Sequence, residues 1–275
     1  MNTITSTPAA DMRTTLGEAD LRLLTDRIEA AQRSARAIRK LTDDFPGMTL
    51  GDGYAVQLAL LQRWLDEGSR QVGWKAGLTS KAKMDQMGVR VPSIGFLLAD
   101  MEQAEDSVVS TEELVHPRVE CELAFVTKAP LAGRDCSRDE VLAATDHVVP
   151  ALEIIDSRFA GFKFDLQSVA ADNGSAARFV RGARALRPEA LALDTLDVLL
   201  EKNGATVAAG NSAAVMGHTA DAVALLVRVL AELGRELPAG SFVMSGAITE
   251  AIAIEPGDRV CARFQQLGSV SVRFG

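Results

Sequence analysis

"LVHPRVECELAFVTK", residues 114–128, sets the reading of this chain. Entered through Pro117, it has the apolar, β-branched and aromatic texture of a strand. Successive side chains of a strand point to opposite faces, so Glu120 and Glu122 share one face and Cys121 lies on the other. Two like charges side by side repel unless water or a cation separates them. On an edge strand such a face is simply wet; inside a fold it is half of a metal site.

The remainder of the chain bears on that choice. A third carboxylate, Glu153 in "PALEIIDSR", is flanked by Leu152 and Ile154, where an acid is costly without a partner. If its strand neighbours the first, Glu120, Glu122 and Glu153 offer three hard oxygen donors to a divalent ion and leave about three of six octahedral positions open. The three cysteines are widely spaced, form no CxxC, and the three histidines are equally scattered. An ion would therefore be held by oxygen, which points to Mg²⁺ or Mn²⁺ rather than zinc.

Lys75 in "GWKAGLTS" is the expected counter-charge to that cluster, although a lysine there can also snorkel its head into water. Asp100 ends the apolar run "IGFLLADM" and reads either as a catalytic acid or as a strand-end cap. "SVAADNGSAARF" places Asp172, Asn173, Gly174 and Ser175 in a turn. Arg158, Lys163 and Arg178 bracket Glu153 and this turn, and a substrate with two carboxylates would need one or more of them.

The 275 residues carry a net charge of −8, which disfavours nucleic acid and anionic membranes as partners. No apolar run is read as approaching the roughly 20 residues of a membrane helix. The first residues are polar and lack the apolar core of a signal peptide, and the odd cysteine count suits a reducing cytosol. A cytoplasmic protein is expected. GxGxxG, P-loop and GxSxG motifs are absent, so nucleotide and serine-hydrolase chemistry has no foothold.

Residues 1–18 read as a flexible leader, 19–70 as a helical part and 71–275 as a β-rich metal-binding catalytic domain. Leu24, Ile28, Ala31, Ala35 and Ile38 predict one helix ending before Asp43. Thr49 and Asp52 open a second, with Tyr54, Leu58, Leu61 and Leu65 on its stripe and Gly68 as its stop. Ser137 to Glu140 is a capping box for a short helix reaching about Val148, ended by Pro150. A helix after Thr219 presents Val223, Leu226, Leu230 and Leu233, and antiparallel strands close the chain. The coarse class is α+β.

Taken together, "GWKAGLTS", "GFLLADM", "HPRVECELAFV", "PALEIIDSR", "DNGSAARFV" and "LGSVSVRF" resemble the 2-keto-4-pentenoate hydratase and 4-oxalocrotonate decarboxylase family, within the fumarylacetoacetate hydrolase superfamily. The resemblance runs from about residue 20 to the C-terminus. It implies a mixed β-sandwich or β-roll core and a Mg²⁺ or Mn²⁺ ion held by Glu120, Glu122 and Glu153. It also implies that Lys75 and Asp100 are catalytic. The hydratases often carry two acids before the methionine, whereas Ala99 precedes Asp100 here.

The segments around the two strands and the DN turn look more like the decarboxylases, which implies decarboxylation of 2-oxo-3-hexenedioate to 2-hydroxypenta-2,4-dienoate in aromatic meta-cleavage catabolism. Hydration of 2-oxopent-4-enoate is the first alternative, and non-catalytic 2-oxo-acid binding on the same fold another. Hydrolysis of acylpyruvates ranks last, since its His–Glu pairing is not apparent. The resemblance further implies homo-oligomers and association with a cognate hydratase.

Overall fold

The structure, a computed structural model, describes residues 11–79 and 92–275. Helix α1, Glu18–Arg33, buries Leu24, Ile28 and Ala31, with acids in its first turn and Arg33 in its last. It stops earlier than the apolar spacing predicts. Ser34 turns its hydroxyl back onto the Ala30 carbonyl, and Ala35 adopts a left-handed φ of 49°. Ile38 leaves the helix to bridge Phe159, its N–H donating to the Arg158 carbonyl at 2.8 Å. Tertiary pairing here overrides helical periodicity.

Helix α2, Leu50–Asp66, begins with the expected capping box, Thr49 and Asp52 satisfying each other's backbone. Asp52 also accepts from the Thr15 and Leu16 N–H groups at 2.7 and 2.9 Å. Residues 11–16 are thus packed on the helix end, not free as a leader would be. The rest of that leader, residues 1–10, lies outside the described residues.

Two mixed sheets follow. Their strands are β1 Gln71–Gly77, β2 Ser93–Leu98, β3 Glu102–Gln103, β4 Val108–Val109, β5 Arg118–Thr127, β6 Thr145–Ile155 and β7 Ala176–Arg181. Beyond these come β8 Asp197–Lys202, β9 Ala205–Asn211, β10 Phe242–Met244, β11 Ile252–Ala253, β12 Arg259–Phe264 and β13 Gly268–Phe274. Among the described residues the first sheet runs β2-β1-β10-β5-β6-β7-β3, with β11 also paired to β5, and the second runs β4-β13-β12-β8-β9. Strand β13 lies against β6 and β7, which stacks the two sheets. The α+β sandwich-and-roll expectation holds.

Three short or apolar helices fill the gaps: α3 Arg138–Ala144, α4 Leu166–Ala171 and α5 Thr219–Glu232. The capping box of α3 is formed as predicted, but the helix ends at Ala144 and Pro150 does not terminate it. Pro150 instead sits inside β6, opposite Leu123. Its carbonyl accepts from the Gly182 N–H at 2.9 Å, just past the last residue of β7, so the missing proline N–H falls at the end of that ladder and not within it. The β8–β9 hairpin turns at Asn203 and Gly204, both at positive φ, an Asn-Gly signal that sequence reading passed over. The reading that no run approaches membrane length is also corrected: Ser212–Glu232 spans 21 apolar-rich residues. In α5, however, Ala222, Val223, Leu226, Val227 and Leu230 are wholly buried, which makes it a core helix.

The first sheet is curled. Phe179 on β7 stacks on Phe242 of β10 at 5.1 Å between ring centroids, although β5 and β6 separate their strands. Flat, those rings would be about 14 Å apart at some 4.8 Å per strand. The curl closes one face of the sheet into an interior.

Candidate metal centre

Register places the key side chains on that interior face. Glu120 of β5 is directly opposite Glu153 of β6. Lys75 of β1 is opposite Met244 of β10, which in turn faces Ala124 of β5, two residues on from Glu122. Glu120, Glu122 and Glu153 are 6%, 0% and 1% exposed, and one carboxylate oxygen from each lies within 4.8 Å of the others. The wet-face reading of the ExE pair is therefore excluded.

Among the described residues, Lys75 is the cation at this cluster. Its Nζ is 3.1 Å from Glu153 Oε1 and donates to Oε2 at 3.4 Å. Burial alone would lower the lysine, but Glu153, Glu122 and Glu120 outweigh it and hold its pKa above the ordinary value. Burial drives Glu122 well above the usual carboxylate range, with Glu153 and Glu120 adding to the push. Burial also raises Glu153, against the pull of Lys75. Glu122 Oε2 accepts from the Gly246 N–H at 2.7 Å, while its Oε1 has no hydrogen-bond partner.

This donor set fits a divalent ion. Among the described residues, three ionised carboxylates against one ammonium leave two negative charges in a dry interior, which one divalent cation balances. Glu122 Oε1 and the off-line Glu153 Oε1 are buried acceptors without a hydrogen-bond donor, and all three ligands are hard oxygens.

Residues 75–274 match the family described as fumarylacetoacetate (FAA) hydrolase C-terminal. The chain belongs to the fumarylacetoacetate hydrolase family. Within it, 4-oxalocrotonate decarboxylase of Pseudomonas putida is 47% identical over 263 residues, which cover 96% of this chain and 100% of the relative. 2-Hydroxyhexa-2,4-dienoate hydratase of Comamonas testosteroni is 38% identical over 250 residues, 90% and 95% of the two chains. A solved structure of 4-oxalocrotonate decarboxylase from Pseudomonas putida G7, complexed with magnesium and adipate, superposes with a TM-score of 0.94 at 46% identity, covering 96% and 100%.

The other expected site residues of this fumarylacetoacetate hydrolase family chain divide. Ser175 sits at the start of β7, buried, with its Oγ unpartnered. Asp100 is not brought to the cluster. Lys75 pairs with Gly95; β2 ends at Leu98, and Asp100 sits past that end in the turn Ala99–Met101, where the Ser69 hydroxyl donates to it. Its exposed position matches the strand-end reading.

Arg158 is a correction of another kind. It is 1% exposed, and its guanidinium is committed to Asp172, to the Asp156 carbonyl at 2.6 Å and to the Ala176 carbonyl at 3.2 Å. Its Nε, both Nη1 hydrogens and one Nη2 hydrogen are engaged within the fold, which is a structural role. Arg178 is opposite Ile154, on the face away from Glu153, and pairs with Glu113 at 2.8 Å. Lys163 follows the short turn Ala160–Phe162 and is exposed. Sequence reading missed the Gly246 N–H, which no side-chain pattern could reveal, and Ser93, buried and paired with Gly77 beside Lys75.

Proposed function

We propose that this chain is a magnesium-dependent carboxy-lyase that converts 2-oxo-3-hexenedioate to 2-hydroxypenta-2,4-dienoate and CO₂. The buried Glu120–Glu122–Glu153 cluster with Lys75 at its side carries the reading. Full-length identity of 47–48% to two 4-oxalocrotonate decarboxylases narrows the chemistry, since the hydratase relatives stand at 38% or lower. Adipate in the related structure is a six-carbon diacid, the same length as the proposed substrate.

Glu120, Glu122 and Glu153 would hold the ion. When bound, magnesium supplies a Lewis acid for the 2-oxo oxygen and the adjacent carboxylate; Mn²⁺ would serve in the same ligand set. Breaking the C5–C6 bond releases CO₂, its electron pair forms the C4–C5 double bond, and the C3–C4 pair shifts to C2–C3. The 2-oxo oxygen gains the charge and one proton is taken up. Lys75, held charged beside Glu153, would donate to that developing oxyanion. The Ser175 hydroxyl, buried without a partner, is available to orient the substrate. A dry interior strengthens each of these interactions.

Hydration would need an acid or base to deliver water at C4, and Asp100, the sequence candidate, lies elsewhere. We further propose a cytoplasmic homo-oligomer acting in meta-cleavage catabolism beside a cognate hydratase. The test is a paired assay with Mg²⁺ and with EDTA. Metal-dependent CO₂ release from 2-oxo-3-hexenedioate is expected. Consumption of 2-hydroxypenta-2,4-dienoate without CO₂ release from the diacid would replace the reading with a hydratase.

A further inference from the structure

The chain turns left-handed for three residues in succession at this site. Asn173, Gly174 and Ser175 have φ of 52°, 59° and 61°. Glycine takes this conformation freely, but Ser175 does so only where its surroundings impose it.

The imposition comes from one carboxamide. Asn173 Oδ1 accepts from the Phe96 N–H at 2.7 Å, and Nδ2 donates to the Phe96 carbonyl at 3.0 Å. Strand β2 is the edge of its sheet, so the outward N–H and C=O of Phe96 would otherwise lack ladder partners. Two glycines make the approach possible. A Cβ on Gly95, the residue opposite Lys75, would lie 2.4 Å from the Asn173 carbonyl oxygen. A Cβ on Gly174 would lie 3.1 Å from Lys75 Cε. The turn therefore rests on the lysine stem.

Its two ends are fixed independently. The buried Arg158 holds Asp172 at the start of the turn, and the Ser175 carbonyl accepts from the Asp156 N–H at 2.8 Å. Gln57 of α2 donates to both the Ile94 and Ala170 carbonyls, tying β2 to the helix that leads into the turn. The middle of the turn has the Asn173 clamp.

We infer that Asn173 is a positioning residue: by hanging the left-handed turn on Phe96 it packs Gly174 against the Lys75 stem and presents the Lys75 ammonium and the Ser175 hydroxyl to substrate. Its kinetic consequence rests on the decarboxylase reading; its geometry does not.

Asn173→Gly is the decisive variant, because it leaves positive φ unstrained and removes both arms of the clamp. The kcat for CO₂ release is expected to fall about 10- to 100-fold, the scale of a small misplacement of a catalytic group. KM should change less than about threefold, and Mn²⁺ affinity, titrated by EPR without substrate, should stay within about twofold, because the clamp touches none of the three glutamates. A crystal structure of the variant should show Lys75 Nζ moved off Glu153. Unchanged kcat with an unmoved lysine overturns the inference, as does a rate loss that follows Mn²⁺ affinity. If wild-type protein releases no CO₂, the decarboxylase reading fails, and the lysine's position in the variant still decides the clamp. Should Asn173→Gly not fold, Asn173→Asp carries the same measurements, since it keeps the arm to the Phe96 N–H and opposes the Phe96 carbonyl.

Discussion

Lys75 and Glu153 belong to strands separated by two others, yet their charged groups meet at 3.1 Å inside the curled sheet. Replacing the lysine by methionine keeps the stem and removes the charge. We expect turnover to fall about 100- to 1000-fold, the loss typical of one electrostatic donor. Mn²⁺ binding should not weaken, because an ammonium beside the ligands repels a cation. Steady-state rates and an EPR titration on the same preparation check both halves.

Glu153→Gln and Glu120→Gln each remove one of three anionic ligands and leave a partner carboxylate across the strand pair. Metal-dependent turnover should be abolished, with Mn²⁺ affinity down at least about 10-fold. A variant that remains active in EDTA would contradict the metal centre.

Stability should depend on pH in a way that magnesium removes. Folding raises Glu122 and Glu153 above their ordinary 4.5. Such acids stabilise the fold when protonated; the contribution is full below about 4.5 and is lost as pH rises through the folded-state value. In EDTA the melting temperature should therefore fall as pH rises above about 4.5, the ordinary value of both acids. A bound divalent cation favours the ionised ligands, so the Mg²⁺-induced rise in Tm should grow with pH. Asp172, raised by burial from 3.8 to about 6 despite Arg158, acts in the same direction with or without metal and cancels from that difference. A Mg²⁺ effect that shrinks as pH rises would be the wrong sign.

Two arginines that sequence reading treated alike should behave differently. Arg158→Lys breaks a fully buried pair whose fork a lysine cannot reproduce, at a cost of about 3–5 kcal/mol. Arg178→Ala breaks a pair whose Glu113 side chain is 67% exposed, which should cost under about 1 kcal/mol. Urea denaturation of the two variants separates them.

Asp100→Asn tests the position of that acid. A general acid or base contributes about 10²- to 10⁴-fold, whereas a strand-end residue held by Ser69 should leave kcat/KM within about threefold. A hundredfold loss would require Asp100 to approach the substrate after all.

The buried glutamate cluster was legible because its residues are anomalous in the sequence: glutamates at period two in an apolar strand, and Glu153 between Leu152 and Ile154, are costly there without a partner. Lys75 was legible for the same reason. Arg158 and Asp100 were not, since linear proximity to a turn or a motif does not reveal which side of a sheet, or which end of a strand, a side chain occupies. Pro150 misled for a different reason. Its role as a helix terminator needs a helix to end, and α3 had already stopped at Ala144, so Pro150 falls inside β6 instead. Ala35 and Ile38 kept a helical rhythm that pairing with Phe159 overrode.

Composition invites a cut between residues 70 and 71, where helices give way to strands. Gln57 makes that cut untenable. Its amide nitrogen donates at 2.8 Å to both the Ile94 and Ala170 carbonyls, and Tyr54 accepts from the Ile94 N–H beside it. A fragment starting at Gln71 would expose β2 and those carbonyls together, and so should be recovered from expression as aggregate, not as a smaller working enzyme. Helix α2 is thereby built into the same packed body as β2 and α4, and library design or fusion should keep it with the strands it anchors.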